Sequence, residues 1–466
     1  MKKFLSILLV LVMILSLCAC GGGGGEPETP KTLEIGISRI NATPGYEVSL
    51  YGYGEESLRI TSTITHYIYI TCIAARYGED TILMYTLDLC SIRNEVLDRL
   101  KEAAMRGSGL PEENIVFGAT HSHSCPSLYY NSANNNRYKE EYYTNVEIAA
   151  KKAIQDLAPA TVSSTVFDIE GMNFVRHYNM LDGSVAGPNF GNLNLPIVGH
   201  PTTTDKTMTL VKFDRGEDKK DVLVVNWAAH AANSSRIGRN IMSPDFIGEV
   251  RDVIERETGM TVAYFAGAAG NTITHTYWNE EAHGLEWKQY GAKLGEIAIE
   301  NLPNLESVEV SSLRHSKQIY QGTVDHTEEH LLAQCKEINV VAFSQQDRTT
   351  ANKMALDLGL TSYYHALKIT TNAGKGETSP LEMTVFAIGP IAFMGVDYEM
   401  FSDAANAIRE QTPFKNTVIM VTNQTYMPSD AAFEYGSYEA SQTYFIRGTA
   451  ETMVDEYMKM LNDLHE

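Results

Sequence analysis

Short apolar runs rich in β-branched residues recur along this chain between longer stretches of helical periodicity, and this alternation restricts the fold more than any other feature. Thr81–Asp88, Ile115–Ala119, Asp221–Trp227, Val262–Ala266 and Met383–Val396 read as strands. Arg93–Met105, Tyr142–Leu157, Asp245–Glu257 and Thr449–Leu464 read as helices. Near-continuous apolar strands are those covered on both faces. The pattern therefore predicts an α/β fold, a single large domain with a mixed central sheet flanked by helices and a functional site at the strand ends. With 44% hydrophobic and 20% charged residues, the composition suits a packed core and excludes a disordered chain. No repeat or low-complexity break divides residues 32–466, which are read as one unit.

The first residues are read as a targeting segment and kept out of the fold. Lys2 and Lys3 precede an apolar run from Phe4 to Leu17, shorter than the roughly 20 residues a membrane span needs. Residues 1–19 therefore read as a signal peptide. Leu17-Cys18-Ala19-Cys20 resembles the lipobox of bacterial lipoproteins, which predicts acylation of Cys20 and an extracytoplasmic, membrane-anchored protein; an ordinary secreted protein is the alternative. Residues 20–31, rich in Gly, Pro and Glu, form the expected flexible spacer. The net charge of −21 argues against nucleic acid or an acidic membrane surface as an electrostatic partner. Cys72, Cys90, Cys125 and Cys335 are widely spaced, which indicates neither a zinc knuckle nor a dense disulfide framework and leaves room for one disulfide.

Two apolar strands run directly into histidines. Ile115–Ala119 leads to Thr120-His121-Ser122-His123-Ser124-Cys125-Pro126, and imidazoles at i and i+2 of an extended chain project to the same side. Such a pair can approach one ion or one substrate, and a pair of hydrogen-bonded loop histidines fits the same pattern. The metallo-β-lactamase signature needs an Asp where Cys125 stands, and the remainder of an amidohydrolase-barrel pattern is not evident. The strand ending at Trp227 is followed by His230, which alone reads more readily as a core histidine than as a ligand.

The ordered set of His121-Ser122-His123-Ser124 with Pro126, His230, Ala266-Gly267-Ala268-Ala269-Gly270-Asn271, Gly395-Val396-Asp397-Tyr398-Glu399, Tyr426 and Tyr438-Glu439-Ala440 resembles the neutral/alkaline non-lysosomal ceramidase family. Ile35-Gly36-Ile37, Ala42-Thr43-Pro44, Tyr51-Gly52-Tyr53 and Leu87-Asp88 extend the resemblance toward the N-terminus. By position, it implies a Zn2+ ion held by His121, His230, Glu399 and Tyr426, with zinc-activated water attacking the amide carbonyl of an N-acyl, lipid-like substrate. His123 is implied to move protons, Tyr438 to hydrogen-bond the developing oxyanion, Arg176 to contact substrate, and Asp245 to support the site.

The chain departs from that family in one loop. Where the family carries Gly-Asp-Val-Ser-Pro-Asn, this sequence reads Gly270-Asn271-Thr272-Ile273-Thr274-His275, and an isoleucine neither attacks a carbonyl nor hydrogen-bonds a hydroxyl. Serine-based chemistry is disfavoured, whereas zinc-activated water survives the change. The ceramidases proper also carry a C-terminal immunoglobulin-like domain, and only the catalytic unit is expected here. Two other functions compete. One is a catalytically inactive ligand-binding lipoprotein of the same fold. The other is a metalloprotease built on His326-Thr327-Glu328-Glu329-His330, a His-x-x-Glu-His pattern at the start of an expected exposed helix Thr327–Glu337.

Overall fold

The structure is a computed structural model that describes residues 31–53, 56–234, 238–278, 285–422 and 425–465. The expected signal peptide 1–19, Cys20 and all of the spacer except Lys31 lie outside the described residues. Six largely apolar strands organise the fold, in three parallel pairs. They are β1 (Asp80–Leu87) with β2 (Ile115–Ala119), β3 (Val222–Trp227) with β4 (Thr261–Ala266), and β5 (Ile391–Val396) with β6 (Asn416–Val421). Apart from an exposed or half-buried first residue in β1 and β4, every residue of these strands is buried. Parallel strands require a crossover, and each pair is joined by a segment containing a helix: α1 (Asn94–Ser108), α2 (Phe246–Thr258) and α3 (Ser402–Gln411).

Each pair sits in a larger sheet whose remaining neighbours are antiparallel. The first sheet runs β2, β1, Tyr69–Tyr77, Leu33–Asn41, Ala158–Pro159. The second runs β4, β3, Thr207–Asp214, Thr161–Asp168, Glu306–Val308, and the third Leu313–Thr323, Thr378–Ile388, β5, β6. The mixed α/β architecture with flanking helices is thus present, with its strands shared among three sheets instead of one central sheet. The edge strands β2, β4 and β6 touch one another, and Val116, Val224, Phe265, Phe393, Val418 and Met420 fill one core between all three sheets. At Gly118 of β2 a Cβ would sit 3.4 Å from the Phe265 ring and 3.5 Å from the Met420 Cβ, so the backbones approach closely there. Leu33–Glu466 cluster as one compact unit.

Helices cover the outer faces. Ala133–Gln155 packs with α1 over the first sheet, burying Tyr138, Tyr142, Tyr143 and Val146. It begins nine residues before the expected Tyr142 because its first turns are polar, and Ser132 caps it by accepting from Asn135 N at 3.1 Å. The expected strand Met383–Val396 is a hairpin of Thr378–Ile388 and β5. A turn at Gly389-Pro390 separates them, with Gly389 at φ +54° and no space for a Cβ beside Glu309 O. The expected helix Thr327–Glu337 is instead a 3-10 turn, Glu329–Leu331, followed by a helix over Leu332–Asn339. Cys72, Cys90, Cys125 and Cys335 are buried free thiols, so no disulfide forms among them. No helix among the described residues is long and apolar enough to cross a membrane.

Candidate active site

The carboxyl ends of the parallel strands face a common place, which is where open α/β sheets bind their ligands. Two residues beyond β2, His121 takes a left-handed backbone at φ +59°, strain of about 1–3 kcal/mol for a non-glycine residue. The chain is therefore not extended at this histidine pair. The two imidazoles meet through that bend, with ring centroids 4.8 Å apart and His123 Nε2 3.2 Å from His121 Nε2. His121 Nδ1 lies 2.7 Å from the Cys90 carbonyl in the loop after β1. His230, after β3, makes the equivalent bond from Nδ1 to the Ala269 carbonyl after β4, also at 2.7 Å.

These two bonds fix the tautomers. A carbonyl only accepts, so each Nδ1 carries the proton and each Nε2 presents a lone pair. Burial keeps both rings neutral, pushing His121 down to about 4 and His230 well below the usual histidine range. The two lone-pair nitrogens nonetheless lie 2.9 Å apart.

Glu399 supplies a third acceptor at the same point. It follows β5 in a two-residue strand, Glu399–Met400, paired in parallel with Tyr426–Met427 so that Glu399 lies opposite Tyr426. Its backbone N–H donates to Thr425 O at 2.7 Å. Glu399 Oε2 stands 3.5 Å from His121 Nε2 and 3.7 Å from His230 Nε2, buried and with no hydrogen-bond partner. Burial raises its carboxyl to about 8, opposed by the Arg176 guanidinium and by a hydrogen bond from Tyr426. Donor atoms of His121, His230 and Glu399 lie within 4.8 Å of one another. Two imidazole lone pairs, an orphaned carboxylate oxygen and a phenol bonded to that carboxylate fit a divalent cation, in nitrogen and oxygen donors that suit zinc.

Around this centre lies a buried charge network of which sequence reasoning assigned Arg176, as a substrate contact, but neither Glu439 nor His177. Arg176 donates from Nε to Glu439 Oε1 at 2.6 Å and from Nη2 to Gly270 O at 2.9 Å, and it also hydrogen-bonds Tyr426. Its guanidinium is thus held inside the site. Glu439 Oε2 accepts from His177 Nε2 at 2.9 Å, and His177 Nδ1 lies 2.7 Å from the Tyr435 hydroxyl. His177 and Arg176 together hold Glu439 at about 2 despite burial that alone would raise it. His177 follows Arg176 and Glu439 follows Tyr438 in sequence, which was the available signal. Spacing alone does not show that the two pairs meet.

Tyr438 packs at 6.1 Å between ring centroids from Tyr426, and burial raises its phenol, which therefore stays protonated and able to donate. His123 is neutral, its pKa pushed well below the usual range by burial and by His121. Its backbone N–H donates to Ala231 O at 2.9 Å, tying it to the His230 loop. Asp245 caps α2 through Phe246 N at 2.8 Å and accepts from Ser234 N at 2.5 Å, so it orders the loop after His230 without reaching the centre. Ile273 is buried in a two-residue strand with Thr272, paired to Phe174–Val175. His326 and His330 do not share a donor cluster. His326 bonds Glu329 and Gly376 O, His330 is exposed, and Glu328 pairs with His365.

Residues 33–270 match the family model described as neutral/alkaline non-lysosomal ceramidase, N-terminal. The fold is similar to that of a neutral ceramidase from Pseudomonas aeruginosa, at 14% identity and TM-score 0.64, covering 94% of this chain and 75% of that one. It is also similar to a ceramidase complexed with C2, at 15% identity and TM-score 0.65, with 93% and 75% covered. At such identities the likeness is one of fold.

Proposed function

We propose that this chain, which belongs to the neutral/alkaline non-lysosomal ceramidase family, is a zinc-dependent amidase that cleaves the N-acyl bond of a ceramide-like lipid. The observation that carries the reading is the 2.9 Å approach of two deprotonated imidazole nitrogens beside the orphaned Glu399 oxygen. A cation held between these groups would coordinate both nitrogens and keep Glu399 ionised against the burial that raises its carboxyl. His121, His230, Glu399 and Tyr426 are the residues that would hold it. When bound, zinc supplies a Lewis acid that polarises a carbonyl and lowers the pKa of water toward about 7.

The remaining residues do the positioning and the proton work. His123, neutral and 3.2 Å from His121 Nε2, accepts a proton at Nε2 and returns it to the leaving amine. Tyr438 donates its phenolic hydrogen to the oxygen that gains charge as the amide carbon becomes tetrahedral. Arg176, anchored by Glu439 and Gly270, holds positive charge beside Tyr426 and partly offsets the burial and the neighbouring Glu399 that together raise its phenol. No serine is required, which accommodates Ile273. The sequence of residues 1–31 supports a lipid anchor at Cys20 and an extracytoplasmic location.

Incubation with short- and long-chain N-acylsphingosines, with and without a chelator, tests this reading. The expected result is release of fatty acid that stops on chelation and returns with zinc. A zinc-loaded chain that binds these lipids without cleaving them would establish the ligand-binding alternative.

A further inference from the structure

His121 belongs to two donor sets. Besides the set with His230 and Glu399, donor atoms of Cys90, His121 and His123 also lie within 4.8 Å of one another. Donors around a tetrahedral ion with bonds of about 2.0–2.3 Å stand roughly 3.3–3.8 Å apart, so small side-chain rotations bring these three onto one cation. The Cys90 backbone is already fixed here, because its carbonyl accepts from His121 Nδ1 at 2.7 Å. Among the four described thiols only Cys90 joins such a group. Cys125 instead donates to Ser243 O at 3.6 Å. Half-buried His123 packs edge-on against exposed Tyr53.

We propose that Cys90, His121 and His123 form an alternative cation position, taken by thiophilic divalent cations such as cadmium, whose occupation switches the enzyme off. The two positions differ in hardness. One offers carboxylate and phenol oxygens beside its imidazoles, and the other a sulfur, which a soft cation prefers. They exclude one another, since His121 Nε2 has one lone pair. On binding, the Cys90 S–H bond breaks, a sulfur–cation bond forms, and the proton leaves to solvent with no change of oxidation state. Occupation also removes the His123 lone pair from proton transfer. This inference shares His121 with the catalytic reading but is observed through sulfur, so the two fail separately.

The test is cadmium titration of the full chain, followed on the zinc-depleted protein by ultraviolet thiolate-to-cadmium charge-transfer absorption and on the zinc-loaded protein by hydrolysis of a short-chain N-acylsphingosine. The expected result is a band in the wild type that disappears in Cys90→Ser and persists in His230→Ala. The cadmium concentration that halves hydrolysis should rise roughly tenfold or more in Cys90→Ser. If Cys90→Ser and Cys90→Ala both fail to fold, separate Cys18→Ser, Cys20→Ser, Cys72→Ser, Cys125→Ser and Cys335→Ser variants that all keep the band assign it to Cys90. Cadmium bound without a band, or a band that survives loss of Cys90, overturns the proposal. A band that behaves as expected, together with no hydrolysis by the zinc-loaded, cadmium-free chain, would count against the amidase reading alone.

Discussion

Two imidazole nitrogens that both lack a proton lie 2.9 Å apart at the centre of the site, and its other residues can be understood from that approach. Cys90 O and Ala269 O set the tautomers, and the left-handed backbone of His121 sets the direction. Glu439 shows the same logic one layer out, as a carboxylate with 1% of its side chain exposed between Arg176 and His177. Removing one partner of such a buried pair costs about 3–5 kcal/mol, so Glu439→Gln should lose stability by that amount, measured by urea denaturation at neutral pH. The sign of its pH dependence follows from its depressed pKa. Ordinarily near 4.5 and held at about 2 in the fold, Glu439 contributes stability that is fully present above about 4.5 and lost as the pH falls toward 2. Denaturation midpoints between pH 5 and 2 should therefore fall more steeply in the wild type than in Glu439→Gln. Equal slopes would show that the network is not what holds this carboxylate.

At the scale of elements, three βαβ units deliver residues from distant parts of the chain to one place. The strands were legible because parallel strands covered on both faces leave continuous apolar runs, as in Ile115–Ala119, where the expected and observed limits coincide. The hairpin within Met383–Val396 was not, because both of its arms are apolar and only Gly389-Pro390 marks the turn. Nor was the start of Ala133–Gln155 legible, since polar Asn134, Asn135 and Asn136 hide its first turn. The convergence of His121 and His123 was expected for an extended chain and arises instead from a bend at φ +59°, which no residue pattern announces. Close backbone approaches belong to this scale too. A Cβ on Gly270 would lie 2.6 Å from Glu399 O, so Gly270→Ala must push Glu399 away from the histidines. Hydrolysis of an N-acylsphingosine by this variant should fall by on the order of a hundredfold, the effect of misplacing a reacting group by about 1 Å. Unchanged turnover would mean that the position of Glu399 does not matter.

Over the whole molecule, the three sheets stand or fall together because the edge strands β2, β4 and β6 share one core. Phe265, 1% exposed, occupies its centre against Gly118, and Phe265→Ala should cost about 3–5 kcal/mol in a cooperative denaturation transition. A second, separated transition would instead show that the sheets unfold independently. This shared core explains how an α/β pattern could be read from the sequence while the arrangement of its sheets could not. Burial on both faces marks each strand, but which sheet covers which face is settled only by long-range packing. The candidate ligands were found by resemblance and not by spacing, as His121, His230, Glu399 and Tyr426 are brought together only by that packing. Chelator-sensitive hydrolysis of a short-chain N-acylsphingosine, compared between the wild type and His230→Ala, tests that convergence most directly. The wild type should lose activity to the chelator and regain it with zinc, while His230→Ala should be inactive throughout; hydrolysis that ignores the chelator, or that persists undiminished in His230→Ala, would contradict a cation held at this point.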